Sequence, residues 1–186
     1  MNETIKIILN RRSVRKYKNE QIKDEELQMI LEAGKYAPCG LNQQSTYFTV
    51  VQNEKMLKKI NDVCKQVYLS SGIKVFEDRA KADNFCVYHG APTFVIACGE
   101  KEVAAYLNNG SVALENMLIA AESMEIGSCW IHALTMIFQT EEGQTLKNEL
   151  GIPDNHVFVG AATFGYKDMP QPSPAPRKEG TVNIIR

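Results

Sequence analysis

The 186-residue chain contains no Cys-x-x-Cys pair, no Gly-x-Gly-x-x-Gly fingerprint and no Walker A loop. Its five cysteines (Cys39, Cys64, Cys86, Cys98, Cys129) are odd in number and widely scattered. That pattern supports neither a zinc ribbon nor a thioredoxin-like redox pair, and it suits reduced thiols in a cytoplasm. Gly-x-Ser-x-Gly and His-Glu-x-x-His are also missing, which removes two common hydrolase designs. The three histidines (His89, His132, His156) lie far apart without metal-ligand spacing, so no metal is expected. No apolar run approaches the ~18 residues of a membrane span. The opening MNETIKIILNRRS carries charges inside its short apolar stretch and no small-residue cleavage site, making it a poor signal peptide. A formal net charge of -1 lacks the strongly basic footprint of a nucleic-acid binder. The expectation is a cytoplasmic protein that binds neither nucleic acid nor membrane. If it is an enzyme, a cofactor carries the demanding chemistry.

What the chain does have is an ordinary globular composition, 44% apolar and 23% charged, at a length that suits one domain. Ile5, Ile8 and Leu9 follow i, i+3, i+4 spacing and predict a short amphipathic helix ending near Arg11. If the following RSVRKY is extended, Ser13, Arg15 and Tyr17 share one side. Leu27, Ile30, Leu31 and Gly34 line a second helix, with acids in its first turn and Pro38 as its stop. Tyr47–Val51 reads as a strand, Leu57, Ile60, Cys64 and Val67 as a third helix, and PTFVIACG as a buried strand. Residues 69–90 show no assignable pattern. The stretch from Ser111 to Ala121 is apolar almost all round, as in a helix at the centre of a large core or an obligate interface. SCWIHAL predicts a strand and a loop, TEEGQTLKNELGIP a helix, and HVFVGAATFGY a last strand. Four of the seven prolines alternate at 170, 172, 174 and 176, which predicts an extended arm. The apolar TVNIIR beyond it wants a partner surface, so the arm is expected to reach a second subunit. The mixture of helices and strands, without clear βαβ alternation, predicts an α+β fold.

Three segments carry candidate chemistry. Arg11, Arg12, Ser13 and Arg15 could hold a phosphate, because guanidinium forks and a hydroxyl suit its oxygens; charge alone favours a solvated basic face. In APCGLNQQ, Gly40 gives backbone freedom, and Asn42 and Gln44 offer the paired donors and acceptors that fit a heterocycle edge. On its own this segment reads as a polar turn. The third, MEIGSCWIHAL, holds the only tryptophan, and Trp130 is more often core than cofactor contact.

In this order, the segments resemble the FMN-dependent nitroreductase family. RRSVRKY resembles its R-R-S-x-R-x-[FY] opening, APCGLNQQ its A-P-S-x-x-N-x-Q-P-W loop, EIGSCWIH its G-x-G-[ST]-x-W segment, and FGYKDMPQPSPAPRK its terminal arm. The resemblance implies one domain, residues 1–186, with a mostly antiparallel sheet flanked by helices, and an arm, residues 168–186, swapped onto a partner in a homodimer. It further implies that Arg11, Ser13 and Arg15, with Arg12, hold the FMN phosphate, and that Arg177 and Lys178 complete the pocket from the arm. Pro38, Cys39, Gly40, Asn42 and Gln44 would approach the flavin from the other subunit. Trp130, Ile131, His132 and Ala133 would line the isoalloxazine, chiefly through backbone groups.

The function implied is an oxidoreductase taking electrons from NADH or NADPH and passing them through FMN to a small-molecule acceptor, such as a nitroaromatic or quinone, by a ping-pong mechanism. Two departures stand out: Ser45-Thr46 replaces the family's Pro-Trp, and Cys39 replaces its serine. They leave room for other chemistry on the same fold, namely reductive dehalogenation, flavin fragmentation or enone reduction. A non-catalytic flavin-binding module is the remaining alternative.

Overall fold

The computed structural model describes residues 1–186. The helices are α1 (Glu3–Asn10), α2 (Asp24–Lys35), α3 (Glu54–Leu69), α4 (Lys74–Lys81), α5 (Tyr106–Ser123), α6 (Leu134–Ile137) and α7 (Glu141–Glu149). The strands are β1 (Thr46–Val51), β2 (Thr93–Glu100), β3 (Ile126–Ile131) and β4 (His156–Tyr166). They form one sheet in the order β1-β2-β4-β3, and every neighbouring pair is antiparallel. The fold is α+β, as the mixed pattern predicts.

Local chemistry sets the helix starts. Asn2, Asn53 and Thr140 each accept a backbone N–H of the first turn with a side-chain oxygen, at 3.0, 3.0 and 3.1 Å, opening α1, α3 and α7. In α2 the Glu26 carboxylate accepts the Lys23 N–H at 2.8 Å, and three acids in the first turn favour the positive end of the helix.

Alternation along the strands divides the core into two layers. Phe94, Ile96, Cys98, Cys129, Ile131 and Ala161 face one cluster with α3, α4, α6 and α7. Val95, Ala97, Ile126, Ala162 and Phe164 face the other, with α2 and α5. β2 is covered on both faces, which explains its unbroken apolar run. α5 touches α1, α2 and all four strands, so it is the central helix. It begins five residues before Ser111, and its burial is one-sided: Ala113, Leu114, Met117, Leu118 and Ala121 are buried, whereas Leu107 and Val112 remain exposed.

Other expectations change on contact with the structure. The segment after α1 does not place Ser13, Arg15 and Tyr17 on one side. Val14 and Tyr17 point inward, Ser13 is half-buried and Arg15 is exposed. The reason is that this stretch is not a regular strand. The Val14 N–H donates to the Ser128 carbonyl at 2.9 Å and the Lys18 N–H to that of Tyr166 at 3.0 Å, with only single bridge pairs at Ser13 and Tyr17. Within residues 69–90, α4 forms with only Ala80 buried, and Phe76 packs on Tyr68, ring centroids 4.8 Å apart. The loop expected after β3 contains the single turn α6. Residues 170–186 form no strand and lie exposed on this chain.

Gly160 of β4 packs against both Trp130 and Leu114 of α5. A Cβ there would sit 2.5 Å from Trp130 Cζ2 and 2.9 Å from Leu114 Cδ1. Overpacking of this kind costs about 1–3 kcal/mol. Gly160→Ala is therefore expected to lower the unfolding free energy by that amount, read as a lower midpoint in chemical denaturation; an unchanged midpoint contradicts the packing described.

Candidate functional site

Most of the residues singled out in the sequence gather in two places on the chain, at opposite edges of the sheet. Beside the β3 edge lies a cavity of about 570 Å³. Arg15 enters it from the segment after α1, Trp130, Ile131, His132 and Ala133 from the end of β3, and Arg79 and His89 from α4 and the turn that follows. Beside the β1 edge lies a second cavity, of about 720 Å³, lined by Pro38, Cys39, Asn42 and Gln44 together with Asn109 and Ala113 of α5.

The first cavity is cationic on one side and apolar on the other. No aspartate or glutamate lines it, and neither Arg15 nor Arg79 belongs to any ion pair of the chain. Burial first, and then the guanidinium groups of Arg15 and Arg79, hold His89 below the usual imidazole range. His89 also has φ of 55°, a left-handed conformation rare for a residue with a Cβ. The Trp130 indole packs on the opposite face with the α5 cluster, so alternation turns its backbone, not its ring, to the cavity. The core reading of this tryptophan and its backbone role are therefore compatible. His132 stands exposed at the rim, its Nε2 3.3 Å from Thr135 Oγ1.

Tyr17 anchors the cationic segment. Its hydroxyl donates to the Val14 carbonyl at 2.6 Å and lies 2.8 Å from Thr163 Oγ1. Burial raises the phenol well above its usual range, opposed by the Thr163 hydrogen bond. The ring thus acts as a neutral peg holding Val14, and through it Arg15, against β3 and β4.

The loop beside the second cavity is wound tightly. Leu41, Asn42 and Gln44 have φ of 53°, 53° and 50°, and backbone of this kind is held only where its surroundings enforce it. The Gly40 N–H donates to Asn109 Oδ1 at 3.2 Å, the Gln44 N–H to Cys39 Sγ at 3.4 Å, and the Gln44 side-chain amide to Asn42 Oδ1 at 3.3 Å. Cys39 serves the turn here. Burial pushes the thiols of Cys64 and Cys98 up to about 12, which removes both as nucleophiles at neutral pH.

Not every predicted residue joins these cavities. Arg11 Nε lies 4.0 Å from the Glu115 carboxylate. Arg12 donates to the carbonyls of Leu9 and Arg11 at 2.8 and 2.6 Å, and it faces a separate cleft with Pro172 and Pro174. Ser13 pairs with Ser128 in a β-bridge. Gly40 lies in the wound loop without lining its cavity, and Arg177 and Lys178 are exposed on the arm and line neither cavity. Conversely, Arg79 and Asn109 escaped the sequence reading, and His89 entered it only as a histidine without metal-ligand spacing. The signal available for Arg79 was the i, i+4 pair Phe76 and Ala80, which marks the inner face of α4.

A Nitroreductase family model matches residues 8–166, a span that contains both cavities and the whole sheet. The chain belongs to the nitroreductase family. Its fold matches a nitroreductase from Bacteroides fragilis solved with bound FMN, at TM-score 0.95, 35% identity and full coverage of both chains. A second nitroreductase with bound FMN, from Desulfitobacterium hafniense, matches at TM-score 0.89 and 25% identity, again over both whole chains. An NADPH-flavin oxidoreductase of Vibrio harveyi is 27% identical over 190 residues, 99% of this chain and 73% of that one.

Because Tyr17 fixes the cationic segment to this nitroreductase sheet, Tyr17→Phe is expected to cost about 1–2 kcal/mol, the value of a buried hydrogen bond whose acceptor loses its donor. Chemical denaturation reads it. A variant as stable as the parent would show that the hydroxyl contributes nothing to holding the segment.

Proposed function

We propose that the chain is an FMN-dependent oxidoreductase that transfers electrons from NAD(P)H to a small organic acceptor, a nitroaromatic or a quinone, and that it works as a cytoplasmic homodimer. The observation that carries this reading is the division of the site. β1 and β3 are the two edges of a four-stranded sheet, about 14 Å apart at ~4.8 Å per strand. The Arg15 cavity and the Asn42 loop of one chain lie beside these opposite edges. A second copy with the reverse arrangement would bring its loop to the first copy's cavity and complete two equivalent sites.

The residues present fit FMN. The guanidinium of Arg15, free of any ion pair, suits a phosphate oxyanion. The apolar wall of Ile131, Ala133 and Met136 suits a flat ring system. When bound, the cofactor accepts electrons from NAD(P)H and delivers them to the acceptor, in two half-reactions at one place. Arg11, Ser13 and Arg15 hold its phosphate, aided by Arg12 and by Arg177 and Lys178 of the arm. Backbone groups from Trp130 to Ala133 orient the ring system. Pro38, Cys39, Gly40, Asn42 and Gln44 of the partner chain close over the site and exclude water. The exposed apolar stripe of α1, Ile5, Ile8 and Leu9, and the exposed Leu107 and Val112 of α5 supply the surface that such a partner covers. Five free cysteines are consistent with a reducing compartment, and no helix is long and apolar enough to cross a membrane.

A second reading keeps the flavin and changes the acceptor chemistry to dehalogenation, flavin fragmentation or enone reduction. It is favoured by Thr46, which stands at a position where the family loop has tryptophan and lines the second cavity.

The protein is expected to purify yellow with bound FMN and to bleach with NADH or NADPH. Its colour should return on addition of a nitrofuran or quinone. Arg15→Ala is expected to lose most of its flavin while remaining folded by circular dichroism. A colourless parent protein that takes up no FMN contradicts the reading, and colour restored only by halogenated or enone acceptors favours the second one.

A further inference from the structure

The first cavity holds a guanidinium that the segment assigned to the cofactor phosphate does not supply. Arg15 belongs to the segment assigned to that phosphate. Arg79 and His89 come from a different part of the chain, and both face the same cavity. Both arginines lie close enough to His89 to depress its protonation. No acid lines the cavity to balance them, and Arg79 has no ion-pair partner although Glu77 and Asp78 precede it directly in α4. An unpaired guanidinium beside an apolar wall is a recognition element for a planar anion, because its fork matches the two oxygens of a carboxylate.

The neighbours of Arg79 narrow the class further. Phe76 precedes it by three residues, so the two side chains share one face of α4, and both line the cavity. Phe76 in turn stacks at a 33° tilt on Tyr68, which lines the same wall. An aromatic surface and a guanidinium one helical turn apart match a ligand with an aromatic ring and an acidic substituent.

We propose that Arg79, with His89 beside it, receives the carboxylate of an aromatic acceptor, making the preferred oxidants of this enzyme aromatic acids rather than neutral nitroaromatics or quinones. The inference rests on the FMN reading of the same cavity and adds the substrate class.

The test uses the oxidised FMN-bound protein with two matched probes, 4-nitrobenzoate and the neutral 4-nitrobenzamide. Binding is read by perturbation of the flavin spectrum, without turnover. The parent protein is expected to bind the acid more tightly than the amide by roughly tenfold or more, the usual weight of a charge-assisted hydrogen bond. Arg79→Gln should weaken 4-nitrobenzoate by roughly 10–100-fold and leave the amide and the FMN content unchanged. Arg79→Lys, which keeps the charge without the fork, should fall between. Equal affinity of the parent for both probes overturns the inference while leaving the FMN reading intact. So does loss of FMN from Arg79→Gln, which would make Arg79 a cofactor ligand, or a raised KM for NAD(P)H with acid binding unchanged, which would assign Arg79 to the electron donor. A parent protein that holds no FMN overturns the parent reading and this inference together.

Discussion

Two strands, β2 and β4, lie between β1 and β3, and this separation governs the rest of the molecule. β2 is apolar along nearly its whole length and is sealed by α2 and α5 on one face and α3 on the other. Neither it nor β4 can be displaced without exposing both core layers. The loop wound around Asn42 therefore stays beside one edge and Arg15 beside the other. In the proposed function these are the two halves of one site, and a chain with this sheet order cannot join them by itself. The proposed dimer removes that difficulty without any rearrangement of the sheet.

The apolar surface left on the single chain agrees with this. α1 has eight residues and none of them is buried, yet helices so short gain little from propensity and are stabilised chiefly by packing. Its apolar stripe beside α5 gives it a reason to persist only if something covers it. The arm presents a similar case. Its base is tied to the body of the chain, with Lys167 Nζ 2.9 Å from the Glu122 carboxylate and the Gln171 amide donating to the same carboxylate at 3.0 Å. Beyond that point Val182, Ile184 and Ile185 are 79%, 67% and 91% exposed. A second chain would give both features a surface to rest on.

The core elements were legible in the sequence because each depends on periodicity. The apolar spacing of Leu57, Ile60, Cys64 and Val67 marks α3, and the unbroken run from Thr93 to Gly99 marks a strand buried on both faces. The segment around Arg15 was only partly legible. Its motif pointed to an anion, but a period of two misplaced Tyr17, since single bridges and the Tyr17 hydroxyl, rather than a continuous ladder, set the direction of each side chain. α4 was illegible for a different reason: with one buried residue, it is held by its contact with α3 and has almost no pattern of its own. Arg79 and the place of His89 stayed hidden with it. Asn109 could not be recognised as the partner of the Gly40 N–H, because that pairing links residues far apart in the chain and leaves no local trace.

Subunit complementation tests most directly whether each site draws on two chains. One variant carries Arg15→Ala and the other Asn42→Ala with Gln44→Ala. Each alone is expected to retain little FMN, because both of its sites are damaged. When the two are unfolded together and refolded as a mixture, mixed dimers combine an intact Arg15 from one chain with an intact loop from the other, and they should regain one FMN per dimer. A mixture that remains as empty as its parents, although mixed dimers are present, would contradict a site shared between subunits.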